Sequence, residues 1–253
     1  AATSGVLLAD FDNDGDQDLV CATSEGLLFN KNDTIGGGRN HAGRFSESTL
    51  LNVAADAFSL AAADYDNDGD EDLYFVNFAG PFLMDQAALA KRSGNQLYRN
   101  DGNGKFTDVT SEAGVGHVGW DYGCLWLDVD NDGYLDLAVT HYSGAILYRN
   151  RGDGTFKEFS GPSGLSSTDG SMGITWGDYN NDQMMDLYIS NYTGEADLLM
   201  MMVDNTSSND GKTKNAIFMA DFNSPIIQQK TWPLVGWGTG FVDFDNDTDL
   251  DLF

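Results

Sequence analysis

Positive charge is scarce in this sequence, and so are proline and cysteine. The 253 residues hold 13 lysines and arginines against 40 aspartates and glutamates, a formal net charge of −27. Such a chain repels the phosphates of nucleic acid and the anionic surface of a membrane, which excludes both as partners. No apolar run reaches the roughly 18 residues of a membrane span, so membrane insertion is excluded, and no signal peptide is visible. The two cysteines, Cys21 and Cys124, each sit in an apolar run, LVCAT and YGCLWL, that reads as a strand. A buried free thiol is favoured over a disulfide, because the two lie in different repeats and sequence alone does not establish pairing. The redox compartment stays open.

What the chain does have is glycine, 30 residues against 4 prolines, with Val, Phe and Tyr in short runs between the turns. That composition indicates an all-β chain with few long helices. With 41% hydrophobic residues, residues 1–253 can bury a large core as one domain.

One ten-residue pattern occurs five times: DFDNDGDQDL from Asp10, DYDNDGDEDL from Asp64, DVDNDGYLDL from Asp128, DYNNDQMMDL from Asp178 and DFDNDTDLDL from Asp243. Its starts lie 54, 64, 50 and 65 residues apart, a period that suits a four-stranded propeller blade with loops of varying length. Between the loops recurs LYRNDGNGKFTDV from Leu97 and LYRNRGDGTFKEF from Leu147, an alternating strand that enters a Gly-rich turn and leaves as a second strand. A looser copy starts at Leu27 with its turn expanded over Lys31 to Arg44, and AIFMADFNSPIIQQKTW from Ala216 reads as a degenerate fourth hairpin. Each unit is therefore strand, aspartate loop, strand, connection, strand, Gly turn, strand, with repeats starting near 5, 58, 122, 172 and 237.

The strands before the loops, such as CLWLDV and GITWGDY, mix small residues with aromatics and suit the crowded inner ring of a propeller. Trp120, Trp126, Trp176 and Trp237 also permit a sugar-stacking reading. Packing between blades is favoured, with Trp120 and Trp232 left open.

The loop spacing matches calcium. This ion takes six to eight hard oxygen ligands, and side-chain oxygens at positions 1, 3, 5 and 9 with a main-chain carbonyl at 7 supply them from one segment. The expected ligands are Asp10, Asp12, Asp14, Asp16 and Asp18 in the first loop, and Asp64, Asp66, Asp68, Asp70 and Asp72 in the second. The third has Asp128, Asp130, Asp132, Tyr134 and Asp136; the fourth Asp178, Asn180, Asp182, Met184 and Asp186; the fifth Asp243, Asp245, Asp247, Asp249 and Asp251. Position 7 varies from Asp to Tyr to Met, as expected if only its main-chain oxygen coordinates, and no catalytic role survives that variety. An EF-hand requires Glu at position 12 and flanking helices, whereas Cys21, Phe75, Val139 and Ile189 stand there and a strand follows. Gly15, Gly69 and Gly133 hold the sixth position, but Gln183 and Thr248 replace them in the last two loops, which are expected to bind more weakly. About five ions, each adding roughly 1.4 kcal/mol at tenfold its dissociation constant, would contribute about 7 kcal/mol, comparable to a domain's net stability.

These loops and the LYRNDGNGKFTDVTSEAGV segment resemble FG-GAP/VCBS repeats, in particular the propellers of the cartilage acidic protein and ASPIC/UnbV family, and more distantly those of integrin α-subunits. The resemblance covers nearly the whole chain and is weaker from about Thr193 to Pro233. It implies a ring of about seven blades when complete, of which this chain is a fragment. It also implies a secreted, extracellular or cell-surface module for adhesion or binding, with no catalytic residue carried over. Sequons at Asn32, Asn191, Asn205 and Asn246 permit secretion. His41, His117 and His141 are scattered, and turn or packing roles are favoured for them over ligation.

A partner, either an extracellular protein or a glycan, is expected on the loops joining strands 2 and 3, read as 79–95 and 192–215, opposite the calcium face. Within the first, Phe82, Leu83 and Met84 form either a contact or a lid on their own blade. The alternative function is a calcium-dependent polysaccharide lyase, which would need a base facing a groove. The third possibility is a purely structural repeat in a surface assembly.

Overall fold

The computed structural model describes residues 3–23, 25–32, 45–51, 57–78, 94–165, 169–192, 195–204, 216–221 and 236–253. Four sheets of four antiparallel strands follow one another along the chain, the arrangement of propeller blades. The first is β1 (Thr3–Ala9), β2 (Asp18–Thr23), β3 (Gly26–Asn32) and β4 (Phe45–Leu51). The second is β5 (Ala57–Ala63), β6 (Asp72–Asn77), β7 (Gln96–Asn100) and β8 (Phe106–Asp108). The third is β9 (Asp121–Leu127), β10 (Asp136–His141), β11 (Gly144–Asn150) and β12 (Phe156–Glu158). The fourth is β13 (Ser171–Gly177), β14 (Asp186–Asn191), β15 (Leu198–Asp204) and β16 (Ala216–Ala220), and β17 (Phe241–Val242) pairs with β18 (Asp251–Leu252) beyond it.

Neighbours in sequence are neighbours in each sheet, so every connection within a sheet joins adjacent antiparallel strands. The second strands β6 and β14 are buried at every residue, hence their unbroken apolar runs rather than the alternation of a sheet with one wet face. Two single-turn helices, α1 (Thr110–Ala113) and α2 (Ser160–Ser163), follow the outer strands of the second and third sheets, and each ends on a glycine in the left-handed region, Gly114 and Gly164.

The chain divides into two compact units, residues 1–124 with 152–155, and residues 125–151 with 156–253. In the first, Phe11, Phe29 and Phe106 meet edge to face at 5.4–5.8 Å between centroids, beside buried Val20, Leu27, Leu73 and Phe75. In the second, Leu127, Leu147, Leu165, Leu187, Ile189, Met200, Met202 and Phe218 form the core.

The fourth sheet departs from the sequence reading. The methionine run Leu198–Asp204 is itself the third strand: Met200 takes the position of Tyr98 and Tyr148, Met202 that of Asn100 and Asn150, and both join the core. Ala216–Ala220 is then the outer strand rather than the start of a hairpin. The expected strand 2–3 loop over 192–215 is corrected accordingly: β14 and β15 are joined by 192–197 alone, Leu198–Asp204 is strand, and 205–215 lie outside the described residues. The other expected loop, 79–95, does connect β6 to β7, and its residues 79–93, with Phe82, Leu83 and Met84, lie outside the described residues.

Tryptophan packing also differs by position. Trp126 is buried against Phe156, whereas Trp176 and Trp237 are 38% and 58% exposed. Cys21 and Cys124 are both free.

Candidate metal centres

Every aspartate loop is built by its own carboxylates. In loop 1 the first aspartate accepts from two backbone amides, Asp14 N to Asp10 Oδ1 at 3.1 Å and Gly15 N to Asp10 Oδ2 at 2.9 Å. The fifth-position carboxylate caps the seventh, Asp16 N to Asp14 Oδ1 at 3.0 Å. The same three bonds recur in the other four loops, around Asp64, Asp128, Asp178 and Asp243. The chain curls tightly enough that position 4 takes a left-handed conformation in all five, Asn13, Asn67, Asn131, Asn181 and Asn246, with φ of 53–60°. Asparagine tolerates that region better than other residues with a Cβ.

The ninth position anchors the loop to the blade. Asp18, Asp72, Asp136 and Asp186 are buried and begin the second strand. In the first three, Oδ2 accepts from the amide of position 2 (Phe11, Tyr65, Val129) at 3.0–3.2 Å. Their Oδ1 accepts from the third strand, from Asn32, Asn100 and Asn150 at 2.7–2.8 Å, and Met202 N plays this part for Asp186 at 2.8 Å. The side-chain amides of the same three asparagines donate to the position-8 carbonyls of Gln17, Glu71 and Leu135 at 3.0–3.1 Å. Sequence reasoning missed this clamp, although the Asn that ends each LYRN was visible.

These bonds converge the carboxylates. In loops 1, 2, 3 and 5 the aspartates at positions 1, 3 and 9 place one oxygen each within 4.8 Å of one another: Asp10, Asp12 and Asp18; Asp64, Asp66 and Asp72; Asp128, Asp130 and Asp136; Asp243, Asp245 and Asp251. In loop 4 an amide takes the place of the third-position carboxylate, and Asn180 Oδ1 accepts from Asp182 N at 3.0 Å. The fifth-position carboxylates, Asp14, Asp68, Asp132, Asp182 and Asp247, stand outside these clusters and spend one oxygen on the loop itself. At position 7, Asp70 and Asp249 turn their side chains toward a neighbouring loop, accepting from Asn13 Nδ2 at 2.7 Å and Asn181 Nδ2 at 2.8 Å.

The third-position carboxylates show that the clusters fit a cation. Side chains of Asp12 and Asp130 are 4% and 3% exposed, and Oδ1 of Asp12, Asp66 and Asp130 is buried with no hydrogen-bond partner. A buried carboxylate oxygen without a partner is costly, and a hard divalent ion is the partner that three converging oxygens suit. The electrostatics agree: without an ion, burial pushes Asp72 up to about 8, Asp136 to about 7 and Asp186 to about 6, against the help of their backbone hydrogen bonds.

Beside loop 2 opens a cleft of about 300 Å³ lined by Tyr65, Asp66, Arg99, Glu112 and the Gly152–Thr155 turn. Histidines are engaged locally, His117 Nδ1 with Asp121 at 3.0 Å and His141 Nδ1 with Ser143 at 3.1 Å; His41 and Trp232 lie outside the described residues. Two sequons are structural: Asn32 donates to Gln17, and buried Asn191 donates to Ala196 O at 2.6 Å. Asn205 lies outside the described residues, and Asn246 is the left-handed residue of loop 5.

No curated protein matches the chain. Among solved structures, a chain from a study of the recognition of non-reducing terminal N-acetylglucosamine by an Agrocybe aegerita lectin is similar, with a TM-score of 0.52 and 18% identity over 98% of this chain. The present chain spans 60% of that one. The FG-GAP-like repeat matches residues 5–75, 83–139 and 128–189. Repeat, blade and loop coincide along most of the sequence, and the chain belongs to the FG-GAP-like repeat family.

Proposed function

We propose that this is a calcium-stabilised, extracellular, non-enzymatic propeller that binds a glycan or protein. The observation that carries the calcium reading is the buried, unpartnered Oδ1 of Asp12, Asp66 and Asp130 inside clusters of converging carboxylates. Positions 1, 3 and 9, with the fifth-position carboxylates and the seventh-position carbonyls of Asp16, Asp70, Tyr134, Met184 and Asp249, would hold about one ion per loop. Calcium supplies charge neutralisation there, removing the repulsion that the loops otherwise store. Millimolar extracellular calcium is the concentration at which such short-segment sites fill, which favours a secreted or cell-surface location. The LYRNDGNGKFTDVTSEAGV segment supports a place near the cartilage acidic protein and ASPIC/UnbV branch.

Binding is favoured over catalysis because the repeated loops carry structural roles atom by atom. The cleft beside loop 2 offers the Arg99 guanidinium and the Glu112 carboxylate, groups that suit a polyhydroxylated ligand, and the lectin neighbour supports a glycan. The decisive experiment is thermal unfolding with and without EDTA, followed by calcium titration of the decalcified chain. A calcium-dependent rise in Tm with about five ions bound supports the reading; ions bound without stabilisation, or no binding, overturn it.

A further inference from the structure

The third strands of the first three sheets carry a base in register with the aspartate loop. Leu19, Leu73, Leu137 and Leu187, the tenth residue of their loops, pair with Asn30, Tyr98, Tyr148 and Met200. The next residues, Lys31, Arg99, Arg149 and Met201, therefore occupy equivalent positions. Lys31 Nζ is in ion contact with Asp12 Oδ2 and lies 3.7 Å from Asp14 Oδ2. Arg149 Nη2 is in contact with Asp130 Oδ2. Both bases reach the third-position carboxylate, the group whose other oxygen has no hydrogen-bond partner.

Arg99 behaves differently. It forks onto Asp101 Oδ1, with Nε at 3.0 Å and Nη2 at 2.8 Å. Between the two arginine blades the residue two positions after the base differs: it is Asp101 in the second, which receives the guanidinium, and exposed Arg151 in the third, where Arg149 also lies over the Phe159 ring, 5.7 Å from its centroid; the first blade has Asp33 at that place and a lysine for the arginine. In the fourth blade both halves of the contact are neutral, Met201 for the base and Asn180 for the carboxylate. Four carboxylates with a base and three without one carry the same net charge, so the substitutions offset each other.

We propose that Lys31 and Arg149 are internal counter-cations that compete with calcium for loops 1 and 3, and that in the two arginine blades the residue at 101 or 151 sets whether the guanidinium lies in its loop. This rests on the calcium reading above. An ammonium or guanidinium among the carboxylates relieves their repulsion in the calcium-free protein and must leave before the ion enters. Loop 2, whose base is held by Asp101, is then the tightest site.

The test is calcium titration of the full chain, at 0.15 and 0.5 M KCl so that effects of exposed charges are screened out at the higher salt. Arg149→Met, which copies Met201, and Arg151→Asp, which copies Asp101, should each tighten one ion about tenfold or more. Adding Asp128→Asn to the Arg151→Asp chain should remove that ion, placing it in loop 3. Asp101→Arg should weaken the tightest ion by a similar factor, and Arg149→Met should lower the Tm in EDTA. If the unaltered chain binds calcium but Arg149→Met and Arg151→Asp leave every affinity unchanged or weaken one, the counter-cation proposal alone is wrong. A chain that binds no calcium would overturn both readings.

Discussion

Asn13 Nδ2 donates to Asp70 Oδ1 at 2.7 Å and to the carbonyl of Gly69 at 3.1 Å, tying the first aspartate loop to the second across 57 residues of chain. The bond joins position 4 of one loop to position 7 of the next, and Asn181 repeats it with Asp249. Asn13→Ala loses both bonds and leaves alanine in a left-handed turn, so it should cost about 1–2 kcal/mol in urea unfolding. A loss that Asn13→Gly fails to reduce would assign the cost to the bonds rather than to the backbone.

Two aspartates of one loop should respond differently to calcium. Asp72 uses both oxygens on buried backbone amides as well as facing the ion site, so Asp72→Ala should already cost about 3 kcal/mol in EDTA, and more with calcium. Asp66 has a buried oxygen without a partner, so Asp66→Ala should destabilise only when calcium is present and be neutral or stabilising in EDTA. Unfolding curves of both variants in the two conditions separate clamp from ligand.

The buried ninth-position carboxylates make the calcium-free protein sensitive to pH. Their folded pKa values are raised above the ordinary carboxylate value, to about 8 for Asp72 and about 7 for Asp136, chiefly by desolvation. The native state therefore binds more protons than the unfolded chain between pH 4 and 8, and stability falls as pH rises through that window. Melting in EDTA should move upward on acidification from pH 8 to pH 5. Saturating calcium, which favours the ionised form, should abolish or reverse that shift.

The sixth loop position requires a positive φ, at 89–96° where Gly15, Gly69 and Gly133 occupy it and at 69° and 79° for Gln183 and Thr248. A β-branched residue pays most there, so Thr248→Gly should gain about 1 kcal/mol and Gln183→Gly less, read as shifts in the denaturation midpoint.

Much of this was legible in the sequence. The spacing of the aspartates announced both the blade period and the convergence of positions 1, 3 and 9, because a tight turn followed by a strand leaves those side chains little freedom. Asparagine at position 4 was just as repetitive, yet its partner lies in another loop and no local spacing points to it. The clamp through Asn100 and Asn150 was hidden for the same reason: a backbone amide on the third strand is its donor, and backbone groups have no letter in a sequence. The methionine strand misled because Met has no strong β preference, and its pairing with Ala216–Ala220 is settled by tertiary packing rather than propensity.

The bonds from Asn13 to Asp70 and from Asn181 to Asp249 share a direction: one loop gives at position 4 and the next receives at position 7. Where a unit carries both halves of such a joint, copying or deleting the whole repeat leaves the remaining joints complete, whereas cutting within a repeat strands half a joint. The natural quantum of change in such a gene is therefore the full blade, and variation in ring size is open to it at little structural cost.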